Sequence, residues 1–146
     1  MGLAGNVGKS WAGQLVEQDR DWWVIEVSSF QIDGFQGFKP TIGILTNITP
    51  DHLDRYDYKL ENYILSKMSL FKNMTSKEKA ILNIEDPLTK KGLELRKSQA
   101  DFHWISLSEK QEKGGFSNGK TLEISAVGNS VSIPVSDLSI QGKHNI

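Results

Sequence analysis

The chain has 146 residues, of which 38% are hydrophobic and 24% charged, and this composition predicts one globular domain with a hydrophobic core. A formal net charge of -1 argues against a nucleic-acid-binding or anionic-membrane-binding protein, and the lack of cysteine excludes disulfides and favours a reducing compartment. No apolar run approaches the ~20 residues that span a bilayer and no secretory signal is visible, so we expect a cytoplasmic protein.

The first candidate site is a glycine-rich segment that runs from Gly5 to Ser10. It ends in Gly-Lys-Ser, as a phosphate loop does, but that motif requires glycine at position 3, where the chain has Leu3. No strand is expected in front of it, because the chain has only just begun. We therefore favour a glycine turn that opens a helix over residues 9–17, and we keep ATP phosphate binding as the alternative. Free backbone N–H groups at such a helix start also suit an anionic or sugar-bearing ligand.

Two apolar runs, over residues 22–27 and 41–46, predict two neighbouring strands at the centre of the fold. Continuous runs of this kind are typical of parallel strands that are covered on both faces, and ligands of such sheets bind at the carboxyl ends of the strands. Six polar side chains fall at those ends: Glu26, Ser28, Ser29, Asn47, Asp51 and His52. Pro50 predicts an irregular segment there. The pattern indicates a divalent-ion site, and the alternative is that Asp51 and His52 are only caps or surface residues.

A helix over residues 59–73 is the clearest helical pattern, with Leu60, Tyr63, Ile64 and Phe71 at helical spacing. Lys67 falls in the middle of that apolar stripe at about 100° per residue. Burial lowers the pKa of a lysine toward a neutral, nucleophilic amine. We favour a buried amine over the alternative, in which the side chain extends along the stripe to reach water.

The rest of the chain continues an α/β alternation. We predict strands over residues 80–83 and 102–107 and, between them, a helix over residues 87–98 that Asp86 caps. A solvated loop over residues 109–115 follows, and then two short alternating runs, 121–125 and 130–135, predict a β-hairpin. The predicted fold class is therefore α/β: a mostly parallel sheet flanked by helices, with a small antiparallel β-hairpin flap near the C-terminus.

Several motifs in register along the chain resemble the central domain of the Mur ligases. They are Gly5-Asn6-Val7-Gly8, Glu26-Val27-Ser28-Ser29-Phe30-Gln31, Asn47-Ile48-Thr49-Pro50-Asp51-His52-Leu53-Asp54-Arg55, Lys67 fifteen residues after His52, and Gly142-Lys143-His144-Asn145. The Ser-Ser-Phe-Gln that follows Glu26 is similar to the D-glutamate-adding members of that family.

The resemblance implies an ATP-dependent amide ligase of peptidoglycan synthesis, which joins D-glutamate to UDP-N-acetylmuramoyl-L-alanine through an acyl phosphate. It implies that Glu26 and His52 hold Mg²⁺ and that Lys67 becomes a carbamate beside the ion. It also implies that Asn6 and Ser28 contact the UDP-sugar substrate and that Asn145 lies toward the adenine of ATP.

The chain departs from the family by its extent. The resemblance implies a P-loop-type central domain, but the phosphate-loop segment, the N-terminal UDP-binding domain and the C-terminal amino-acid-binding domain are not in the 146 residues. We therefore expect a partial central domain that does not turn over alone, and a missing strand predicts self-association through an open sheet edge. Two other hypotheses stay open: a nucleotide-binding or regulatory module that uses residues 5–10 as a degenerate phosphate loop, and a non-catalytic interaction domain.

Overall fold

The computed structural model describes residues 1–6, 9–126 and 128–139, and it divides the chain into two compact units. The first unit is Met1–Gln36 and the second begins at Gly37. None of the helices in the described ranges is long and apolar enough to cross a membrane.

The first unit contains two parallel strands and two short helices. In chain order these are β1 (Gly2–Gly5), α1 (Trp11–Glu17), β2 (Trp23–Glu26) and α2 (Ser29–Asp33). The β1 strand shows that one prediction was wrong, because no strand was expected in front of the glycine-rich segment. It forms because β2 offers a parallel partner whose register pairs Gly2 with Trp23 and Gly5 with Glu26. A Cβ atom at Gly2 would overlap the Trp23 ring, so the close approach of the two strands requires glycine.

The sequence pattern also missed α2, where only a polar strand end and a loop were expected. The helix begins with a capping box: the Ser28 hydroxyl accepts from the Gln31 backbone N–H, and the Gln31 side chain accepts from the Ser28 N–H. A serine followed three residues later by glutamine is the recognised signal for such a start. The helix was therefore predictable from its cap, although it is only five residues long.

The second unit is built on a six-stranded sheet in the order β3-β4-β5-β6-β7-β8. Its elements are β3 (Ile42–Leu45), α3 (Leu60–Met68), β4 (Lys79–Asn83), α4 (Pro87–Leu95), β5 (Asp101–Ser106), β6 (Gly114–Ser117), β7 (Thr121–Ala126) and β8 (Asn129–Pro134). Neighbouring strands from β3 to β6 run parallel, and those from β6 to β8 run antiparallel. This confirms the predicted α/β class with a mostly parallel sheet. The helix expected over residues 59–73 is α3 with a following 3-10 turn at Ser69–Phe71.

The β6 strand was not predicted, and it lies between β5 and the predicted β-hairpin. It pairs with β5 on one side and with β7 on the other, so the predicted antiparallel hairpin is present and is joined to the main sheet. Gly114 has a φ angle of 135°, and a Cβ there would overlap the Trp104 backbone. Glycine disfavours strands in general, which is why the pattern predicted a loop, but a close backbone approach requires it here.

The hydrophobic core of the second unit lies where α3 and α4 pack against the sheet. Its largest fully buried apolar side chains are Ile64, Met68, Phe71 and Leu82. A Cβ on Gly92 would lie 2.6 Å from Met68 Cγ, so glycine in α4 permits the close packing of the two helices.

The prediction that the two central strands are buried on both faces is wrong for this chain. Along β3, Gly43 and Leu45 are buried, but Ile42 and Ile44 are 44% and 58% exposed. In β2, Val24 is also exposed. A continuous apolar run shows that both faces can be covered, but it does not show which face the helices of the same chain cover.

Candidate functional site

The segment from Gly5 to Ser10 joins β1 to α1. The Ser10 hydroxyl accepts from the Gly13 backbone N–H at 3.1 Å and so caps α1, as a helix start requires. Lys9 Nζ lies 3.7 Å from a carboxylate oxygen of Glu17. The presence of β1 removes one of the two objections to a phosphate loop, while Leu3 still breaks the spacing. Val7 and Gly8 lie outside the described residues.

Asn6 and Glu26 are two predicted site residues that the structure brings together. The Asn6 backbone N–H donates to the Glu26 carbonyl at 2.8 Å, which continues the β1–β2 ladder by one residue. The Asn6 amide then donates from Nδ2 to Glu26 Oε1 at 3.5 Å. Both residues are exposed, and Glu26 is the last residue of β2. A carboxylate therefore stands at the carboxyl end of a parallel strand with one oxygen oriented by an amide.

Ser28 follows two residues later and serves as the N-cap of α2. Its hydroxyl accepts from the Gln31 N–H at 3.4 Å and lies 3.2 Å from Gln31 Oε1, to which it donates. The reciprocal bonds fix the chain direction directly after β2. The role of Ser28 toward a substrate stays a prediction beside this structural one.

His52 lies on the irregular segment after β3, as the position of Pro50 predicted. The residue adopts a left-handed conformation, with φ of 50° and ψ of 36°. Its backbone N–H donates to Asp51 Oδ1 at 2.8 Å, and its Nε2 lies 3.4 Å from Asp51 Oδ2. A non-glycine residue at positive φ costs energy and is frequent at functional sites. The imidazole is 58% exposed and so is accessible to a ligand.

Lys67 lies in α3 with the residues that the helical period predicted, but its side chain is half-buried and not enclosed. This corrects the expectation of a buried amine. Its Nζ lies 5.2 Å from the centroid of the Tyr63 ring, and Tyr63 itself is buried. The period correctly gave the face of the helix, but it could not give the depth of burial, because that depends on how much of the face other parts of the fold cover. An ammonium over a ring face is stabilised by the ring quadrupole.

Two carboxylates after β4, Glu85 and Asp86, each accept several hydrogen bonds. Asp86 caps α4, as predicted, by accepting from the Leu88 and Thr89 N–H groups. The sequence pattern did not predict that its Oδ2 also accepts from the Ile48 N–H at 2.9 Å, across 38 residues of chain. The only local feature that marked Asp86 was its position between a strand and a proline, and this predicts a helix cap but not a contact with Ile48.

Glu85 was missed altogether. Its Oε1 accepts from two backbone N–H groups, of Leu107 and Ser108, and from the hydroxyls of Ser106 and Ser108, all at 2.8 to 2.9 Å. Burial alone would raise the pKa of Glu85, but these hydrogen bonds outweigh it and lower the pKa below its ordinary value. The carboxylate is thus kept ionised and holds the loop after β5 against the loop after β4.

The predicted metal-site residues offer different donor atoms to the ion that the motifs imply. Magnesium prefers oxygen ligands, which the exposed Glu26 carboxylate provides, whereas Lys67 provides oxygens only as a carbamate. His52 offers a nitrogen. Within the described ranges, no group of three or more His, Asp or Glu side chains is gathered so that it could hold a metal ion. Asn145, the residue expected near adenine, lies outside the described residues.

Comparison with known proteins gives one family. A family model described as the Mur ligase middle domain matches residues 9–146. Over 99% of its length the chain is 43% identical to the UDP-N-acetylmuramoylalanine--D-glutamate ligase of Christiangramia forsetii and 39% identical to that of Cytophaga hutchinsonii, and it covers 32% of each. It is 39% identical to the same enzyme of Bacteroides fragilis, covering 33% of it.

The chain therefore spans about a third of the length of the curated relatives it matches. The match with the family model extends over far more than half of the 146 residues. It includes the segments that carry Glu26, His52 and Lys67. The chain belongs to the Mur ligase middle-domain family.

Proposed function

We propose that this chain supplies the middle domain of an ATP-dependent ligase that adds D-glutamate to UDP-N-acetylmuramoyl-L-alanine in the cytoplasm, as a step of peptidoglycan synthesis. The observation that carries the proposal is the similarity over 99% of the chain to relatives that bear the name of that ligase. Within each unit, polar side chains that end or follow a parallel strand support it, Glu26 in the first and His52 in the second, because α/β sheets bind ligands at such ends.

The chemistry is amide formation driven by ATP. The alanine carboxylate takes the γ-phosphoryl group and becomes an acyl phosphate, with ADP as leaving group. The amine of D-glutamate then attacks the acyl carbon to give a tetrahedral intermediate. The bond between the acyl carbon and the phosphate oxygen breaks, inorganic phosphate leaves with the bonding electrons, and the nitrogen loses a proton as the amide forms. Bound magnesium supplies the positive charge that offsets the repulsion between the carboxylate and the triphosphate.

Each predicted residue has a role in this proposal. Glu26 is a magnesium ligand, and the Asn6 amide that donates to Glu26 Oε1 orients the carboxylate. The accessible imidazole of His52 is a second ligand. Asn6 and Ser28 also contact the UDP-sugar substrate, and Asn145 contacts the adenine.

Lys67 is proposed as a carbamate. Carbon dioxide reacts with a neutral amine, and the half-buried position leaves the amine accessible to it. A bound magnesium ion would pair with the negative charge of the carbamate and so stabilise it. The expected modification is therefore linked to magnesium.

A chimera tests the function. Residues 1–146 replace the matching third of the Christiangramia forsetii ligase, and phosphate release is measured with and without D-glutamate. We expect D-glutamate-dependent release in the chimera and a loss of about a hundredfold or more in the Lys67→Arg variant, since arginine keeps the charge but forms no carbamate. Lys59→Arg, an exposed lysine before the same helix, is the matched control and should retain the rate. A folded chimera without D-glutamate-dependent release, or full activity of Lys67→Arg, contradicts the proposal.

A nucleotide-binding module remains the second candidate, because β1 precedes the loop from Gly5 to Ser10 as a strand precedes a phosphate loop. Calorimetric titration of magnesium-ATP into the chain separates the two. Tight binding that Lys9→Ala abolishes would favour the module. Binding that does not depend on Lys9, or no detectable binding, would leave this segment as a turn that opens α1.

A further inference from the structure

The Asp86 side chain joins the ends of two neighbouring parallel strands. Oδ2 accepts from the Ile48 N–H at 2.9 Å, from the Thr89 N–H at 3.2 Å and from the Thr89 hydroxyl at 2.6 Å. Oδ1 accepts from the Leu88 N–H at 3.3 Å. Ile48 follows β3 and Asp86 follows β4, so one carboxylate caps a helix and also holds the loop of the adjacent strand.

The Ile48 end of this contact is fixed by burial. Ile48 is only 3% exposed, and Thr89, whose hydroxyl donates to the same oxygen, is 0% exposed. A backbone N–H in such surroundings is costly to leave without an acceptor, and a carboxylate is a stronger acceptor than a neutral oxygen. The Asp86–Ile48 bond therefore closes the loop at a defined point.

The loop fixed in this way carries His52, four residues after Ile48. Pro50 restricts the backbone between them, and His52 itself adopts a left-handed conformation whose N–H donates to Asp51 Oδ1. The backbone between Ile48 and His52 is thus short and conformationally restricted. Movement of Ile48 would be passed on to His52.

We infer that Asp86 is a positioning residue, which fixes the His52 loop through the Ile48 N–H in addition to capping α4. This inference rests on the proposed function in one respect: the loop matters for the reaction if His52 is a magnesium ligand. Asp86 touches no reacting atom in this account and acts only through the loop.

The Asp86→Ser substitution separates the capping of α4 from the contact with the Ile48 N–H. Serine hydroxyls already cap two helices of this molecule, because Ser10 accepts from the Gly13 N–H and Ser28 from the Gln31 N–H. Asp86→Ser should therefore keep the cap of α4, but its oxygen is one bond closer to the backbone and does not reach Ile48. Asp86→Asn keeps the length and one acceptor oxygen, and is the conservative variant that should rescue the contact in part.

The first arm of the test uses the chain as it is. Amide hydrogen exchange should become about tenfold or more faster at Ile48 in Asp86→Ser, as expected for the loss of one charge-assisted hydrogen bond, while Thr89 and the core residue Leu82 keep their protection. The ¹⁵N relaxation of the His52 amide should show increased motion in Asp86→Ser and less of it in Asp86→Asn.

Unchanged protection of the Ile48 amide would overturn the inference. Faster exchange at Ile48 with unchanged ¹⁵N relaxation of the His52 amide would also overturn it. If Asp86→Ser does not fold, Asp86→Asn is the deciding variant. Loss of the charge must still accelerate amide exchange at Ile48 relative to that at Leu82. An Ile48 exchange rate equal to that of the wild-type chain would overturn the inference.

The second arm uses the chimera. Asp86→Ser should raise the magnesium concentration for half-maximal phosphate release by about tenfold, the usual scale for loss of a residue that orients a metal ligand, with Asp86→Asn in between. A lower maximal rate with an unchanged magnesium requirement is what reduced stability alone would give, and it would overturn the positioning role. If the unsubstituted chimera is inactive, the proposed function fails, and the exchange measurements still decide whether Asp86 fixes the loop.

Discussion

The two ends of the parallel strands in the second unit hold their carboxylates in different ways. At the carboxyl ends, Glu85 and Asp86 accept mainly from backbone N–H groups and hydroxyls of the neighbouring loops. At the amino end of β5, Asp101 instead faces basic side chains: Lys113 Nζ at 2.8 Å, His103 Nε2 at 3.1 Å and Lys79 Nζ at 3.5 Å.

This difference shows what each end does. Neutral donors on loops fix the position of those loops, which is what a binding edge needs, and their hydrogen bonds do not depend on a partner's charge. Asp101 is instead tied to the neighbouring strands by the ammonium groups of Lys79 in β4 and Lys113 before β6, and it also contacts the His103 ring of its own strand. Lys79 is its direct register partner. The first arrangement supports a site, whereas the second supports the sheet and responds to salt and acid.

The largest expected effect is at Glu85. Glu85→Ala removes the acceptor of four hydrogen bonds and leaves the Ser106 hydroxyl, which is fully buried, without that partner. We expect a loss of about 2 kcal/mol in the free energy of unfolding, moderated because water reaches Leu107 and Ser108. Urea denaturation measures it. Glu85→Gln retains an acceptor oxygen and should lose much less; equal losses would show that the charge and not the acceptor matters.

The next effect is at Asp101. Hydrogen bonds and charge from Lys113, and then from His103, hold the pKa of Asp101 well below its ordinary value. Asp101→Asn should therefore cost about 1.5 kcal/mol at neutral pH, and the cost should shrink in high salt, unlike that of Glu85→Ala. A cost that salt leaves unchanged would mean that packing, not charge, is the contribution of Asp101.

Lowering the pH gives a second test of the ionic contribution of Asp101. Because the folded-state pKa is lowered, the stabilisation by Asp101 is fully present above its unfolded pKa of about 4 and is lost as pH falls through the range below it. The difference in unfolding free energy between the wild-type chain and Asp101→Asn should therefore stay nearly constant from pH 7 to about 5 and shrink as the pH falls below about 4. A difference that stays constant in that acidic range would refute the ionic account.

The smallest effect is expected at Lys79. Its Nζ is 3.5 Å from Asp101 and its side chain is about half exposed, so the ion pair is weak and screened. Lys79→Met should change the unfolding free energy by only about 0.3 kcal/mol. A loss as large as that of Asp101→Asn would show that the register partner, and not Lys113, dominates the cluster.

Local patterns predicted most elements of the sheet and both long helices. The strands β3, β4 and β5, the hairpin β7–β8 and the cap of α4 by Asp86 all lie where apolar runs, turn residues and a capping side chain indicated. The two missed strands share one cause, unlike α2, whose capping box was visible in the sequence. β1 and β6 are short and glycine-rich, and they are strands only because a partner strand offers its edge at the right register.

The candidate site could also be predicted only in part from the sequence. The chain order of polar residues after strands identified Glu26 and His52, and the motifs around them indicated the Mur ligase family, which the comparisons confirm. The roles of Asn6, Glu26, Ser28, His52, Lys67 and Asn145 stay predictions. The structure adds the partners of these residues, such as the Asn6 amide on Glu26 and the Tyr63 ring beside Lys67.

The sequence by itself determined the fold class, the family and the residue types at the strand ends, because hydrophobic period and motif spacing are properties of local chain order. Only the tertiary structure decided that Lys67 is half-buried, that Asp86 reaches Ile48 and that Glu85 holds the loop after β5. The hydrogen bonds to Ile48 and Leu107 join residues 38 and 22 positions apart, and the burial of Lys67 depends on how much of a helix face its neighbours cover. Strand register and packing depth set them, and neither is written in a local pattern.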